Sequence, residues 1–163
     1  LALSETDICL GESIEVTSTP YLSSYNWIPA SISGSGGTIT PQLGQTLYSV
    51  VATDNNGCIN TNSASLTINQ IDEVDILVNG SPTRTICIGE EIQLSATQGF
   101  TTYSWYPSSV SSAWTTDYEG TYIPVDLSDN QFTLIVTNEF GCQTSSNLNI
   151  TIKEIPTPGS IDF

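Results

Sequence analysis

The residues best able to do chemistry in this chain of 163 residues are its four cysteines, which occur in a repeated pattern. Cys9 and Cys87 each begin a C-x-G-E motif, 78 positions apart, and Cys58 and Cys142 each follow a glycine. An even number of cysteines that matches the repeat predicts one disulfide in each repeat. We therefore expect the pairs Cys9–Cys58 and Cys87–Cys142. Closing loops of about 50 residues would stabilise each repeat by about 4 kcal/mol on the chain-entropy model.

Two other states of the cysteines are open, namely reduced thiols or one zinc site that uses all four. Zinc is disfavoured because the sequence has neither a C-x-x-C pair nor any histidine. Disulfides form and persist in oxidising compartments. The sequence therefore predicts an extracellular or cell-surface location.

Catalytic arrangements that need histidine are excluded, because the chain has none. A Ser-His-Asp or Cys-His nucleophile cannot be built, and cysteines held in disulfides are not nucleophiles. Composition alone leaves a carboxylate pair of the glycosidase type open. Acidic residues on short β modules are more often solvated surface, so we expect that the protein is not an enzyme.

Calcium is the one metal that the acidic residues suggest. Asp72, Glu73 and Asp75 lie at the junction between the repeats, and Asp126 and Asp129 lie in a loop of the second repeat. Oxygen ligands from loops suit Ca²⁺, and a site at the junction would stiffen the tandem. The alternative is solvated acidic loops, since no spacing matches an EF-hand. We expect no other cofactor.

Aromatic residues are the candidates for contact with a ligand. Trp27 and Trp105 recur at equivalent positions of alternating segments, which predicts that they are core residues. Trp114, Tyr118 and Tyr122 fall in an insertion of the second repeat. These three residues could stack on the faces of sugars. The alternative is that Trp114 folds back over the edge of the protein.

The charge restricts the partners. Seventeen acidic residues against two basic ones give a net charge of −15. Such a surface repels nucleic acid and anionic membranes. No apolar run reaches the length of a membrane span. We expect neither nucleic-acid binding nor membrane insertion.

The elements that position these residues are predicted to be strands. Apolar and polar residues alternate in short segments, and no apolar pattern of period 3.6 is long enough for a helix. The fold prediction is all-β, with two tandem immunoglobulin-like β-sandwich modules, each closed by one disulfide. Module 1 covers residues 1–70 with a truncated N-terminal strand, and module 2 covers residues 71–154. Residues 155–163 are a tail or the start of a following module.

Three repeated motifs carry a resemblance to a known family. They are C-x-G-E, the Y-x-W-x-P of residues 25–29 and 103–107, and the T-D-N-N-G-C of residues 53–58. With these motifs the chain resembles the Ig-like and PKD-like repeats of secreted Bacteroidota surface proteins, including gliding-motility adhesins. The resemblance implies a stalk module, exported by the type IX secretion system. The second repeat departs from the family pattern, with Asn138 after the threonine.

The function expected from these observations is structural. We expect an extracellular structural or adhesive tandem that acts as a spacer or filament part of a bacterial surface protein. Its partners would be neighbouring Ig-like modules, and residues 155–163 could add a strand to such a neighbour. The alternative is a pair of carbohydrate-binding modules attached to a secreted polysaccharide-degrading enzyme, with a surface glycan as the ligand.

Overall fold

The computed structural model describes residues 1–82 and 84–156, and every regular element in these ranges is a β-strand. The chain divides into two compact units, Leu1–Gln70 (unit 1) and Ile71–Phe163 (unit 2). The all-β prediction is therefore confirmed. Within the described ranges no helix is long and apolar enough to cross a membrane.

Unit 1 is a sandwich of two three-stranded antiparallel sheets. Its strands are β1 (Ala2–Leu3), β2 (Asp7–Cys9), β3 (Ile14–Thr17), β4 (Ser24–Ile28), β5 (Gly36–Ile39), β6 (Leu47–Thr53), β7 (Ile59–Ser65) and β8 (Thr67–Asn69). One sheet has the order β1-β3-β5 and the other β4-β6-β7. In addition β2 pairs in parallel with β8, which holds the beginning of the unit against its end.

Unit 2 repeats this topology. Its strands are β9 (Ile76–Val78), β10 (Thr85–Cys87), β11 (Ile92–Ala96), β12 (Thr102–Pro107), β13 (Glu119–Tyr122), β14 (Gln131–Thr137), β15 (Gln143–Asn149) and β16 (Thr151–Lys153). The sheets are β9-β11-β13 and β12-β14-β15, and β10 pairs in parallel with β16. Two facing antiparallel sheets with this strand order form an immunoglobulin-like sandwich, as predicted.

Each unit has its own hydrophobic core, which alternating residues of both sheets supply. Side chains along a strand point to opposite faces, so every second residue of β6 and β14 is buried. The core of unit 1 consists of Ile8, Ile14, Val16, Trp27, Ile32, Tyr48, Val50 and Leu66. The core of unit 2 consists of Val74, Ile76, Val78, Ile86, Ile92, Leu94, Tyr103, Trp105, Phe132, Leu134, Val136, Leu148 and Ile150.

The two tryptophans predicted to be core residues are buried. Trp27 is 2% exposed and Trp105 is 0% exposed. A buried indole N–H needs an acceptor. Nε1 of Trp27 donates to the carbonyl of Gly34, and Nε1 of Trp105 donates to that of Asp117, both at 2.9 Å. The sequence repeat is thus also a repeat of hydrogen bonding.

Three segments have strands that the sequence pattern does not display clearly. The N-terminal strand of unit 1 is shorter than β9 but present, since Ala2 and Leu3 form β1. The long strands β7 and β15 begin at Ile59 and Gln143, directly after the second cysteine of each unit. Both strands are rich in exposed polar residues, so their sequences lack the alternation of apolar and polar residues that indicates a strand. They pair through their backbones. Part of the predicted inserted loop of unit 2 is strand β13.

The glycine-rich stretch 33–37 also enters a strand. Gly36 lies in β5 opposite Thr17 and has a φ of 148°. A Cβ at this position would lie 2.1 Å from the carbonyl oxygen of Val16. Only glycine fits so close to a neighbouring strand, because any side chain would collide with its backbone.

The fold predicts that a cavity in the centre of a sheet is costly. Leu134 is fully buried in β14, opposite Trp105 of β12. We expect Leu134→Ala to lower the free energy of unfolding of unit 2 by about 2–5 kcal/mol, measured by urea denaturation. The control is Ile135→Ala, one residue on and facing the other side of the sheet. Equal losses for both variants would contradict the assignment of the core face.

Candidate functional site: cysteine turns at opposite ends of each unit

The C-x-G-E motif of unit 1 is a tight turn that fixes the backbone of its cysteine. The N–H of Glu12 donates to the carbonyl of Cys9 at 3.1 Å, and Gly11, the third residue, has a φ of 94°. A positive φ at this position favours glycine. The N–H of Cys9 donates to Oε2 of Glu12 at 2.8 Å. The glutamate is therefore required as the acceptor that closes the turn.

The same turn, which we call the C-x-G-E turn, recurs in unit 2. The N–H of Glu90 donates to the carbonyl of Cys87 at 3.0 Å, and the N–H of Cys87 donates to Oε2 of Glu90 at 3.1 Å. Gly89 has a φ of 80°. The other oxygen, Oε1, forms an ion pair with Arg84 at 3.2 Å. This partly exposed pair adds orientation more than stability.

The second cysteine of each unit belongs to another closed turn, the Gly-Cys turn (residues 54–58 and 138–142). In unit 1 the N–H of Gly57 donates to the carbonyl of Asp54, and the N–H of Asp54 donates to the carbonyl of Cys58. Oδ1 of Asp54 accepts the N–H groups of Asn56 and Cys58, both at 2.8 Å. One side-chain oxygen thus holds the whole turn.

Asn138 performs the same task in unit 2, where it stands at the position that Asp54 has in unit 1. Its Oδ1 accepts the N–H of Phe140 at 3.0 Å and that of Cys142 at 2.9 Å. An amide oxygen and a carboxylate oxygen are both acceptors. Asparagine in place of aspartate therefore leaves the geometry of the turn unchanged and removes a negative charge.

Asp54 is ionised well into the acid range because of these contacts. The N–H groups of Cys58 and Asn56 donate to its carboxylate and hold the pKa of Asp54 below its ordinary value. Hydrogen bonds to the charged form of a carboxyl favour that form. The Gly-Cys turn of unit 1 is consequently anionic at neutral pH.

The two kinds of turn lie at opposite ends of unit 1. Cys9 is in register with Asn69, the last residue of β8. Cys58 directly precedes β7, 11 residues before Asn69. Strands rise by about 3.3 Å per residue, so β7 and β8 separate the two cysteines by on the order of 30 Å.

Unit 2 has the same separation. Cys87 is in register with Lys153, the last residue of β16, and Cys142 precedes β15, 11 residues before Lys153. Thr144 lines one surface depression with Glu73, so the Gly-Cys turn is at the end where unit 2 begins. The C-x-G-E turn is at the end where unit 2 finishes.

The predicted disulfide pairs Cys9–Cys58 and Cys87–Cys142 are wrong. Cys9 and Cys142 are each disulfide-bonded, whereas Cys58 and Cys87 are free and exposed. A disulfide needs Cα atoms within about 7 Å of each other. The strand between the two cysteines of one unit prevents this approach. The number of cysteines in each repeat could not reveal their separation within a unit, because the cysteine spacing carries no signal of the parallel pairing of the end strands.

The acidic loop proposed for calcium is a closed turn in the structure. Oδ2 of the fully buried Asp129 accepts the N–H groups of Val125 (2.9 Å) and Asp126 (3.3 Å). Burial acts to raise the pKa of Asp129, but hydrogen bonds from the side chain of Ser109 and from these two N–H groups outweigh it, so its pKa lies below the ordinary value. In unit 1 the neutral Gln45 holds the corresponding turn. The turn thus forms without a charge or a metal.

The acidic residues of the junction do not gather either. Asp72, Glu73 and Asp75 are exposed, with the buried Val74 between them. Asp75 is fixed by its backbone, which exchanges hydrogen bonds with Thr97. Among residues 1–82 and 84–156, no group of three or more Cys, Asp or Glu side chains is placed to hold a metal ion. The calcium hypothesis gains no support at either predicted position.

The aromatic residues of the insertion pack against the core of unit 2. Trp114, Tyr118 and Tyr122 are partly buried there. The rings of Trp114 and Tyr122 meet edge to face at 5.2 Å, and a Cβ on Gly120 would lie 2.8 Å from Trp114. This arrangement matches the alternative in which Trp114 folds back over the sandwich. It leaves little of the three rings as a platform for a sugar.

The closing acceptors are the functional residues that the sequence reasoning missed. They are Glu12, Glu90, Asp54 and Asn138. A signal for their role was present, because in each motif the acceptor stands three or four residues from a cysteine. Such spacing is typical of side chains that close a turn on the backbone. Residues 157–163, expected to supply a strand to a neighbour, lie outside the described residues.

Comparisons with known proteins give only distant likenesses. No family model matches the chain, and no curated protein matches it. Solved structures that resemble it include the N-terminal four Ig domains of Dscam1 isoform 6.9 (16% identity, TM-score 0.39) and murine CEACAM1b (10% identity, TM-score 0.40). A third is the three N-terminal domains of the outer capsid protein Hoc of bacteriophage RB49 (15% identity, TM-score 0.43).

Coverage in these comparisons is unequal. About 90% of the chain aligns with the Dscam1 fragment and 93% with each of the other two proteins. It spans 43% of the Dscam1 fragment, 57% of the Hoc fragment and 98% of CEACAM1b. Because all three TM-scores are low, the assignment to the immunoglobulin-like fold rests on the strand order and the two cores described above.

The closing acceptor of the Gly-Cys turn can be tested by substitution. Asn138→Ala removes the acceptor for two N–H groups, and we expect it to lower the free energy of unfolding by about 1–2 kcal/mol. Asn138→Asp keeps an acceptor oxygen, as in unit 1, and should lower the free energy of unfolding much less. Urea denaturation at pH 7 measures both. If the aspartate variant is as unstable as the alanine variant, the side-chain oxygen does not hold the turn.

The stability of unit 1 should depend on acid through Asp54. Its folded pKa lies below the unfolded value of about 3.9, so its contribution is complete above about pH 4 and is lost as the pH falls through the folded pKa. Asp54→Asn keeps the acceptor and removes the titration. We expect its urea midpoint to fall less between pH 6 and pH 2.5 than that of the wild type. Glu5→Gln, which removes one exposed charge, is the control, and equal pH dependence in all three proteins would refute the role of Asp54.

Proposed function

We propose that the chain is an extracellular structural tandem, a spacer or filament part of a bacterial surface protein that transmits tension along its length. The observation that carries this proposal is the parallel pairing of the first and last strands of each unit. β2 runs beside β8 and β10 runs beside β16, each over three residue pairs. The proposal follows from what this pairing does when the two ends of a unit are pulled apart.

Parallel end strands resist such a pull by shear. Tension on the two ends of unit 1 pulls β2 and β8 in opposite directions along their common axis, because the strands are parallel. All their hydrogen bonds must then break together. They include those from Leu10 to Asn69 and from Thr67 to Thr6, both at 2.8 Å. An antiparallel pair joined by a hairpin would instead open one bond at a time.

The surface supports a role outside the cell. Cys9 and Cys142 are disulfide-bonded, and disulfides persist in oxidising compartments. A net charge of −15 keeps neighbouring copies in solution apart and discourages pairing between exposed strand edges. The cysteine turns lie at the ends of each unit. The partners in this proposal are neighbouring Ig-like modules.

The proposed parent is a secreted Bacteroidota surface protein of the gliding-motility adhesin type. This part of the proposal rests on the C-x-G-E, Y-x-W-x-P and T-D-N-N-G-C motifs alone. Export by the type IX secretion system would deliver such a protein to the outer surface. Antibodies against residues 1–154 should label intact cells, and labelling should be lost when that secretion system is disabled.

Force spectroscopy tests the shear argument through one hydrogen bond. Leu10 is the second residue of the C-x-G-E turn, where proline is favoured, and its N–H donates to β8. Leu10→Pro should lower the unfolding force of unit 1 and leave that of unit 2 unchanged. The equilibrium stability should fall by only about 1 kcal/mol. The protein is pulled in the presence of a reductant, so that no disulfide limits its extension.

The matched control for this experiment lies within the same unit. Leu43 is the second residue of another turn, before Gly44 with a φ of 88°, and it belongs to neither end strand. Leu43→Pro should leave the unfolding force unchanged. If both proline variants lower the force equally, or if neither does, the parallel pair does not determine the mechanical resistance.

A further inference from the structure

The four cysteines occupy two kinds of position, and one of each kind is oxidised. Cys9 stands in a C-x-G-E turn and Cys142 in a Gly-Cys turn, and both are disulfide-bonded. Cys87 and Cys58 stand in the remaining turn of each kind, and both are free and exposed. The hydrogen bonds of the two turns of a kind are the same. The backbones of the free Cys58 and Cys87 are thus fixed by the same hydrogen bonds as those of the disulfide-bonded Cys142 and Cys9.

We propose that Cys87 of one copy forms a disulfide with Cys58 of a second copy of this chain. The inference deepens the proposed function and rests on it, since it names the covalent partner of a module in a fibre. A disulfide of this type joins one C-x-G-E turn to one Gly-Cys turn, the two kinds of turn that are oxidised in the structure. Because the two surfaces are different, the contact is heterologous and can continue from copy to copy.

The geometry of each thiol suits a link between molecules. Cys58 lies at the end of unit 1 opposite the end of β8, and Cys87 lies where unit 2 finishes. Each thiol is therefore on a tip of its unit, away from the flat faces of the sheets. The backbone N–H of each is fixed by a carboxylate, Glu90 for Cys87 and Asp54 for Cys58. A disulfide demands defined Cβ positions, and fixed turns provide them.

Charge favours the pairing of unlike turns. The only two basic residues of the chain, Arg84 and Lys153, both lie at the C-x-G-E turn of Cys87, Lys153 directly in register with it. They offset two of the three nearby negative charges, which are those of Glu90, Glu91 and Glu154. The turn of Cys58 carries the ionised Asp54 and no basic residue. Only the turn of Cys87 carries cations that can attract Asp54, and a second Cys58 turn offers none.

The oxidation requires a disulfide as the oxidant, such as oxidised glutathione or a disulfide oxidoreductase. The thiolate of Cys58 attacks the glutathione disulfide, forms a mixed disulfide and releases one reduced glutathione. The thiolate of Cys87 of the other copy then attacks the sulfur of Cys58 and releases the second. Two protein thiols are oxidised, one glutathione disulfide is reduced to two thiols, and both thiol protons leave with the glutathione.

Mixing two single variants of the full chain tests the pairing. Cys58→Ser retains only the thiol of Cys87, and Cys87→Ser retains only that of Cys58. In oxidised glutathione we expect either variant alone to stay monomeric and the mixture to form a dimer on non-reducing gels. Wild-type protein should form a ladder of dimers, trimers and longer species. Peptide mapping without reduction should recover a peptide that joins Cys58 to Cys87.

The outcomes that would overturn the proposal are distinct. One is that a single variant alone forms as much dimer as the mixture does. Another is that the thiols of Cys58 and Cys87 end only as mixed disulfides with glutathione. A third is a Cys58–Cys87 disulfide within one monomer. Lys153→Glu should slow the formation of the mixed dimer, and Glu154→Gln, at the neighbouring residue, should not. The double variant Cys58→Ser/Cys87→Ser should lose the ladder and keep the unfolding forces of the wild type. A failure of the covalent link can therefore be told apart from a failure of the mechanical function.

Discussion

The parallel pairing of β2 with β8, and of β10 with β16, is the constraint on which the other features of each unit depend. It holds the beginning of a unit beside its end, so the C-x-G-E turn that follows β2 or β10 lies at the end where the unit finishes. The final strands then extend the full length of the sandwich. They place the Gly-Cys turn at the opposite end, on the order of 30 Å away.

The same constraint explains why the cysteines do not stabilise the fold from within. A disulfide cannot span the length of a sandwich, so the cores of the two units and the side chains that close the turns must stabilise each sandwich instead. The cysteines thereby lie at the ends of each unit. In the proposed function, shear between parallel end strands and covalent links between ends would together keep a series of modules intact under tension.

Much of the fold could be predicted from the sequence, and the site only in part. The alternation of apolar and polar residues predicted an all-β chain, and the repeated Trp27 and Trp105 predicted residues of the two cores. The disulfide pairs could not be predicted, because the register of a parallel strand pair leaves no periodic signal. Nor could the burial of Asp129, since whether an acidic residue closes a turn or binds a cation depends on atoms outside its own segment.

The central claim is that no disulfide forms between the two cysteines of one unit. Alkylation of the purified protein in denaturant without reduction, followed by peptide mapping, tests it most directly. In the monomer, before any treatment with oxidised glutathione, Cys58 and Cys87 should be alkylated and Cys9 and Cys142 should not. A peptide that joins Cys9 to Cys58, or Cys87 to Cys142, would contradict it.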